Sequence, residues 1–125
     1  MPSLASTPSP PYYAVVFTSV RTDVDGEGYA QTAERMVQLA AEQPGFLGVE
    51  SARGSDGLGI TVSYWDNLDS IRRWREQAEH RLAQRDGKAK WYTCYALRVC
   101  RVEDAFNFEK PSGEASITQS PPGSA

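Results

Sequence analysis

The dipeptide Pro44-Gly45 constrains this chain more than any other feature. It follows a stretch in which Tyr29, Ala33, Met36, Val37 and Ala40 recur at helical spacing, and it precedes the strand-like run Phe46 to Arg53. Proline cannot continue a helix and glycine accepts the turn that ends one, so the helix stops and the chain enters a strand. The glycines from Gly54 to Gly57 then read as a hairpin turn, and Leu58 to Trp65 as the strand that pairs back.

The rest of the chain completes the pattern on both sides. Tyr12 to Arg21 is rich in Tyr, Val and Phe and reads as a first strand, with Thr22 to Gly28 as a loop. After Trp65, either Asp66 or Asn67 can cap a second helix, in which Leu68, Ile71, Trp74, Arg75, Ala78 and Leu82 share one stripe. Gly87 ends that helix, and Trp91 to Glu103 is a long fourth strand that Phe106 and Phe108 extend or pack beside. The order β-α-β-β-α-β predicts an α+β, ferredoxin-like domain. Both helices then cover one sheet face. The other is left to Val49, Ile60, Val62, Tyr64 and residues of the last strand, an apolar face that calls for a partner; pairing two such sheets gives a dimeric α/β barrel.

At 125 residues and 40% hydrophobic content the chain makes one domain, expected over residues 12–109. Residues 1–11 and 110–125 are rich in Ser, Pro, Gly, Thr and Ala and are expected to be flexible tails. A net charge of −3 with mixed signs argues against nucleic-acid binding. The cluster Arg72, Arg73, Arg75, Arg81 and Arg85 is interleaved with Glu76, Glu79 and Asp86, as on a solvated helix face. No apolar run is long enough to cross a membrane, and the amino terminus has no secretory pattern, so a cytoplasmic address is expected. Cys94 and Cys100 are about 20 Å apart on one strand, too far for a disulfide, and read as free thiols.

Several chemistries lack their residues. Gly54, Gly57 and Gly59 lie between strands, with no helix start to hold a phosphate. One histidine and two distant cysteines offer no metal cluster, and no nucleophile elbow exists. His80 is the one side chain whose ordinary pKa lies near neutrality, hence the candidate for proton transfer. On a straight helix it lies opposite Ile71, on the polar face, and it reaches a pocket only if the helix breaks near Gln77. Trp65, Trp74, Tyr64, Tyr92 and Tyr95 can be core or ligand contacts. Arg98, in an apolar strand, either reaches a dimer seam to pair with an acid such as Glu50 or holds an anionic substrate group.

The run Pro44-Gly45-Phe46-Leu47-Gly48, the strand ending in Tyr64-Trp65, the step Ile71-x-x-Trp74, the pair Glu79-His80 and the closing Trp91-Tyr92 together resemble the antibiotic biosynthesis monooxygenase family, over roughly Tyr12 to Phe108. The resemblance implies a homodimer of ferredoxin-like subunits that oxidises a small aromatic or phenolic ligand with molecular oxygen and no prosthetic group. It places His80 as base, Trp65, Trp74 and Tyr92 as pocket walls, and Thr18 as a hydroxyl donor. Two alternatives accompany it: a haem-binding protein of the haem-degrading branch, and a dimeric ligand-binding module without turnover. That branch uses an Asn on the first strand, and Tyr12 to Arg21 holds none, which argues against haem degradation.

Overall fold

A computed structural model describes residues 3–111, so residues 112–125 of the second expected tail lie outside the described residues. The elements run β1 (Tyr12–Arg21), α1 (Gly26–Ala41), β2 (Phe46–Arg53), β3 (Leu58–Trp65), α2 (Leu68–Gln84), α3 (Gly87–Trp91) and β4 (Tyr92–Val102). The strands form one antiparallel sheet in the order β2-β3-β1-β4. This is the ferredoxin-like α+β fold that the periodicity predicts. The short α3 is an addition: Trp91, expected to begin the last strand, ends a helical turn instead, and β4 stops before Phe106 and Phe108, which are exposed.

Local chemistry sets the element ends. Asp25, in the left-handed region, accepts from the Gly28 amide and opens α1. Asn67, rather than Asp66, caps α2 by accepting from the Ser70 amide at 2.7 Å. The β2–β3 turn closes through Gly54 N–H to Leu58 O (2.8 Å) and Gly57 N–H to Gly54 O (3.1 Å). Gly57 takes a positive φ of 92°, and a Cβ there would stand 3.1 Å from the Arg21 carbonyl oxygen, so only glycine sits there without strain.

Tyr13, Val15, Phe17 and Ser19 of β1 face the helices with Thr61, Ser63 and Trp65 of β3. Val15, Ala40, Trp65 and Ile71 form one core cluster, and Leu82, Trp91 and Tyr92 a second. One expectation about faces is corrected. Val49 lines the helix-covered side, because a bulge at Leu47 pairs Phe46 with Trp65 but Gly48 with Tyr64, and so shifts the alternation by one residue. Ile60, Val62 and Tyr64 do lie on the outer face. There the register aligns Glu50, Val62, Val16 and Arg98 in one row across all four strands. Glu50 and Arg98 stand at its two ends, three strand spacings or roughly 14 Å apart, so they cannot pair within one chain.

The segment before β1 makes specific contacts. The Ala5 amide donates to Glu50 Oε2 at 2.9 Å, and the Thr7 hydroxyl donates to the Tyr12 hydroxyl at 3.1 Å. Glu50 also accepts from the Tyr64 hydroxyl at 2.7 Å. That bond, then the Ala5 amide, hold the Glu50 carboxyl below its ordinary pKa, while burial and the adjacent carboxylate push the Tyr64 phenol up to about 12.

Candidate functional site

Between the sheet and the two long helices lies a cavity of about 320 Å³. Its floor comes from alternate residues of every strand and its roof from the inward stripes of α1 and α2. The aromatic part of the wall is Phe17, Tyr29, Trp74, Tyr92 and Tyr95. Phe17 packs edge-on against Tyr92 with centroids 5.8 Å apart, and Tyr29 against Tyr92 at 5.9 Å, so the walls hold one another in place. Trp74 is fixed by its indole N–H, which donates to the Met36 carbonyl across the helix pair at 3.0 Å.

The polar part is confined. Ser51, Thr61 and Ser63 give a patch of hydroxyls on β2 and β3, with Ser51 and Thr61 hydrogen bonded at 2.9 Å. Ser63 accepts from the Trp65 indole at 2.8 Å. Burial, with Tyr29 adding to it, pushes the Tyr92 phenol far above its ordinary value against the pull of Arg53 and Arg21, so Tyr92 remains a neutral hydrogen-bonding group at any physiological pH. Among the described residues the only charged side chains lining the cavity are Arg75 and Glu79, one turn apart on α2.

The residues singled out from the sequence divide. Trp74 and Tyr92 line the cavity. Trp65 is 0% exposed and sits behind the wall, packed on Phe46 (5.4 Å) and Trp74 (5.5 Å). Thr18 pairs with Ile60 and Ala96 on the outer sheet face, and Arg98 lies on that same face opposite Val16, so neither points toward the cavity. His80 is exposed and lines a shallow outer groove with Glu76, Asp86 and Lys88. The position expected beside the cavity is corrected by helix geometry: α2 runs unbroken through Gln77, and His80 is rotated ~200° from both Ala78 and Leu82, which face inward.

Sequence reasoning did not single out Phe17, Tyr29, Ser51, Thr61, Ser63, Arg75 or Glu79 for the site. One signal was present. In Ile60-Thr61-Val62-Ser63-Tyr64-Trp65 the alternation sets two small hydroxyls and an indole against Ile60, Val62 and Tyr64, and small hydroxyls under two helices mark a polar floor. Among the described residues no three His, Cys, Asp or Glu side chains converge as a metal site, and no helix is long and apolar enough to cross a membrane.

A ferredoxin-like sheet with an aromatic, sparsely polar cavity under its helices defines a small α+β domain with a single-layer sheet and a recess between sheet and helices. The sequence profile of the antibiotic biosynthesis monooxygenase family matches residues 11–86, and the chain belongs to that family. It is 54% identical over 114 residues to the uncharacterized protein YqjZ of Bacillus subtilis, a match covering 91% of this chain and 99% of that one. Among solved structures it resembles SnoaB, a cofactor-independent oxygenase from Streptomyces nogalater, with TM-score 0.62 and 16% identity over 77% of this chain and 97% of that one. Rv0793 from Mycobacterium tuberculosis resembles it with TM-score 0.62 and 13% identity over 77% of this chain and 99% of that one. At such identities these two likenesses concern the fold.

Proposed function

We propose that this protein is a cofactor-independent monooxygenase that converts a small electron-rich phenol to a quinone inside the cavity. The observation that carries the reading is the chamber itself. An apolar cavity of about 150 Å³ holds a benzene ring, so about 320 Å³ has room for two fused rings. The aromatic wall shields a ring from water, and the hydroxyls of Ser51, Thr61 and Ser63 with the neutral phenol of Tyr92 offer hydrogen bonds to ring oxygens.

The chemistry balances without a prosthetic group. A phenol with an open ring position gives up its O–H proton, the ring anion supplies electrons to dioxygen, one oxygen atom enters the ring, and the other leaves as water. The protein's contribution is to desolvate the ring, orient it and favour the anion. Membership of the family and the likeness to SnoaB support the reading. The one imidazole of the chain lies in the outer groove, so the cavity offers haem no axial histidine.

The exposed outer sheet face is proposed as the contact with a second copy of the chain. Ile60 is 46% exposed there, and the row from Glu50 to Arg98 carries opposite charges at its two ends, which a two-fold axis through its centre would bring together.

Oxygen uptake with a panel of hydroxynaphthalenes tests the catalytic reading. Uptake above the rate without protein, with a quinone as product, is the expected result. Quenching of tryptophan fluorescence by these compounds without oxygen uptake would instead make the protein a binding module.

A further inference from the structure

We propose that Arg75 sets the charge of the cavity's ligand, selecting an aromatic that carries an anionic oxygen; the inference rests on the cavity being the ligand site. Three cations stand close together on α2, and two are committed elsewhere. Arg72 bonds Asp69 at 2.6 Å and Glu76 at 3.0 Å, and Arg73 bonds Asp69 at 3.0 Å. Arg75, rotated ~60° from Arg72 toward the stripe of Ile71, Ala78 and Leu82, lines the cavity at its exposed rim and has no carboxylate within 4 Å among the described residues. A guanidinium without a counter-ion in contact, at the exposed rim of an aromatic cavity, favours the ionised form of a phenol that binds beside it.

The groups facing the chamber from each element make this assignment specific. Tyr29 on α1 and Tyr92 and Tyr95 on β4 are phenols, and β1, β2 and β3 contribute no charged side chain. Among the described residues Arg75 is therefore the one cation of the lining and Glu79 the one anion. Glu79 lines both the cavity and the outer groove that holds His80. When the ligand's O–H bond breaks, the electron pair stays on the oxygen facing Arg75, and the proton passes to the Glu79 carboxylate and on to water in the groove.

The test uses 2-naphthol, whose neutral and ionised forms differ in absorption, with 2-methoxynaphthalene as a probe of the same shape that cannot ionise. Bound to the full chain, 2-naphthol is expected to ionise at a pH at least one unit below that of the free compound, a preference of tenfold or more for the anion. Arg75→Gln should abolish that shift, Arg75→Lys should keep part of it, and neither should change the affinity for 2-methoxynaphthalene. An unchanged shift in Arg75→Gln, an equal loss of both probes, or no binding of 2-naphthol to the parent chain would overturn the assignment. Because ionisation is read without turnover, a shifted titration with no oxygen uptake would sink the monooxygenase reading and leave the role of Arg75 standing.

Discussion

Glu50 shows how one side chain can tie sheet stability to pH. Its folded pKa is held below the ordinary value of 4.5 by the Tyr64 hydroxyl and the Ala5 amide. A depressed carboxylate contributes stability that is present above the unfolded pKa and lost as pH falls through the folded one. The protein should therefore lose stability as pH drops below about 4.5, and Glu50→Gln should flatten that part of the curve, as urea melts from pH 3 to 7 would reveal. Trp74 and His80 give a second residue-scale contrast. Trp74→Ala should weaken binding of a naphthol by about tenfold or more, since it removes cavity wall, whereas His80→Ala should leave affinity within about twofold. Fluorescence titration separates the two, and a large loss in the histidine variant would return that imidazole to the site.

At the scale of elements, α2 and its junction with α3 decide where the cavity wall stands. Replacing Asn67 by Ala removes the acceptor for the Ser70 amide and should cost about 1 kcal/mol. Gly87→Ala should cost more, on the order of 1–3 kcal/mol, because a Cβ there would lie 2.6 Å from the Trp91 ring and 2.8 Å from Leu82. Thermal melts of the two variants check both sign and order. All four strands and both long helices were legible in the sequence, since each has clear periodicity and a turn or cap at its ends. The turn α3 was not, because Gly87-Lys88-Ala89-Lys90-Trp91 is too short to show a period. The face of Val49 was lost to a bulge that alternation alone does not reveal. The site was half legible: the stripe through Trp74 and Arg75 follows from spacing, while the inward face of Tyr92 depends on a second register shift, between Val20 and Arg21, that alternation from Tyr95 and Leu97 does not reveal.

For the whole molecule the outer sheet face carries the main expectation. A second copy should cover it, burying roughly 2,000 Å² or more in total, and light scattering at low micromolar concentration should give twice the chain mass. Val62→Asp puts a charge at the centre of that face, in the row between Glu50 and Arg98, and should yield monomers that still fold. A parent chain that is already monomeric would remove the dimer from the account. The amino-terminal segment reaches the same face through Ala5, so removing residues 1–9 should cost about 1 kcal/mol by leaving Glu50 one hydrogen bond short.

The bulge at Leu47 also predicts where this chain can change length. From Gly48 onward each residue of β2 keeps its β3 partner whether or not Leu47 is present, because Leu47 is the supernumerary position in the ladder. Deleting it straightens the strand without exchanging the two faces, so the cavity keeps Val49 and Ser51. Deleting Val49 instead would bring Glu50 opposite Ser63 and turn a carboxylate into the chamber. Single-residue deletions two positions apart in this strand should thus have opposite fates, one absorbed by the sheet and the other emptying the cavity of its ligand.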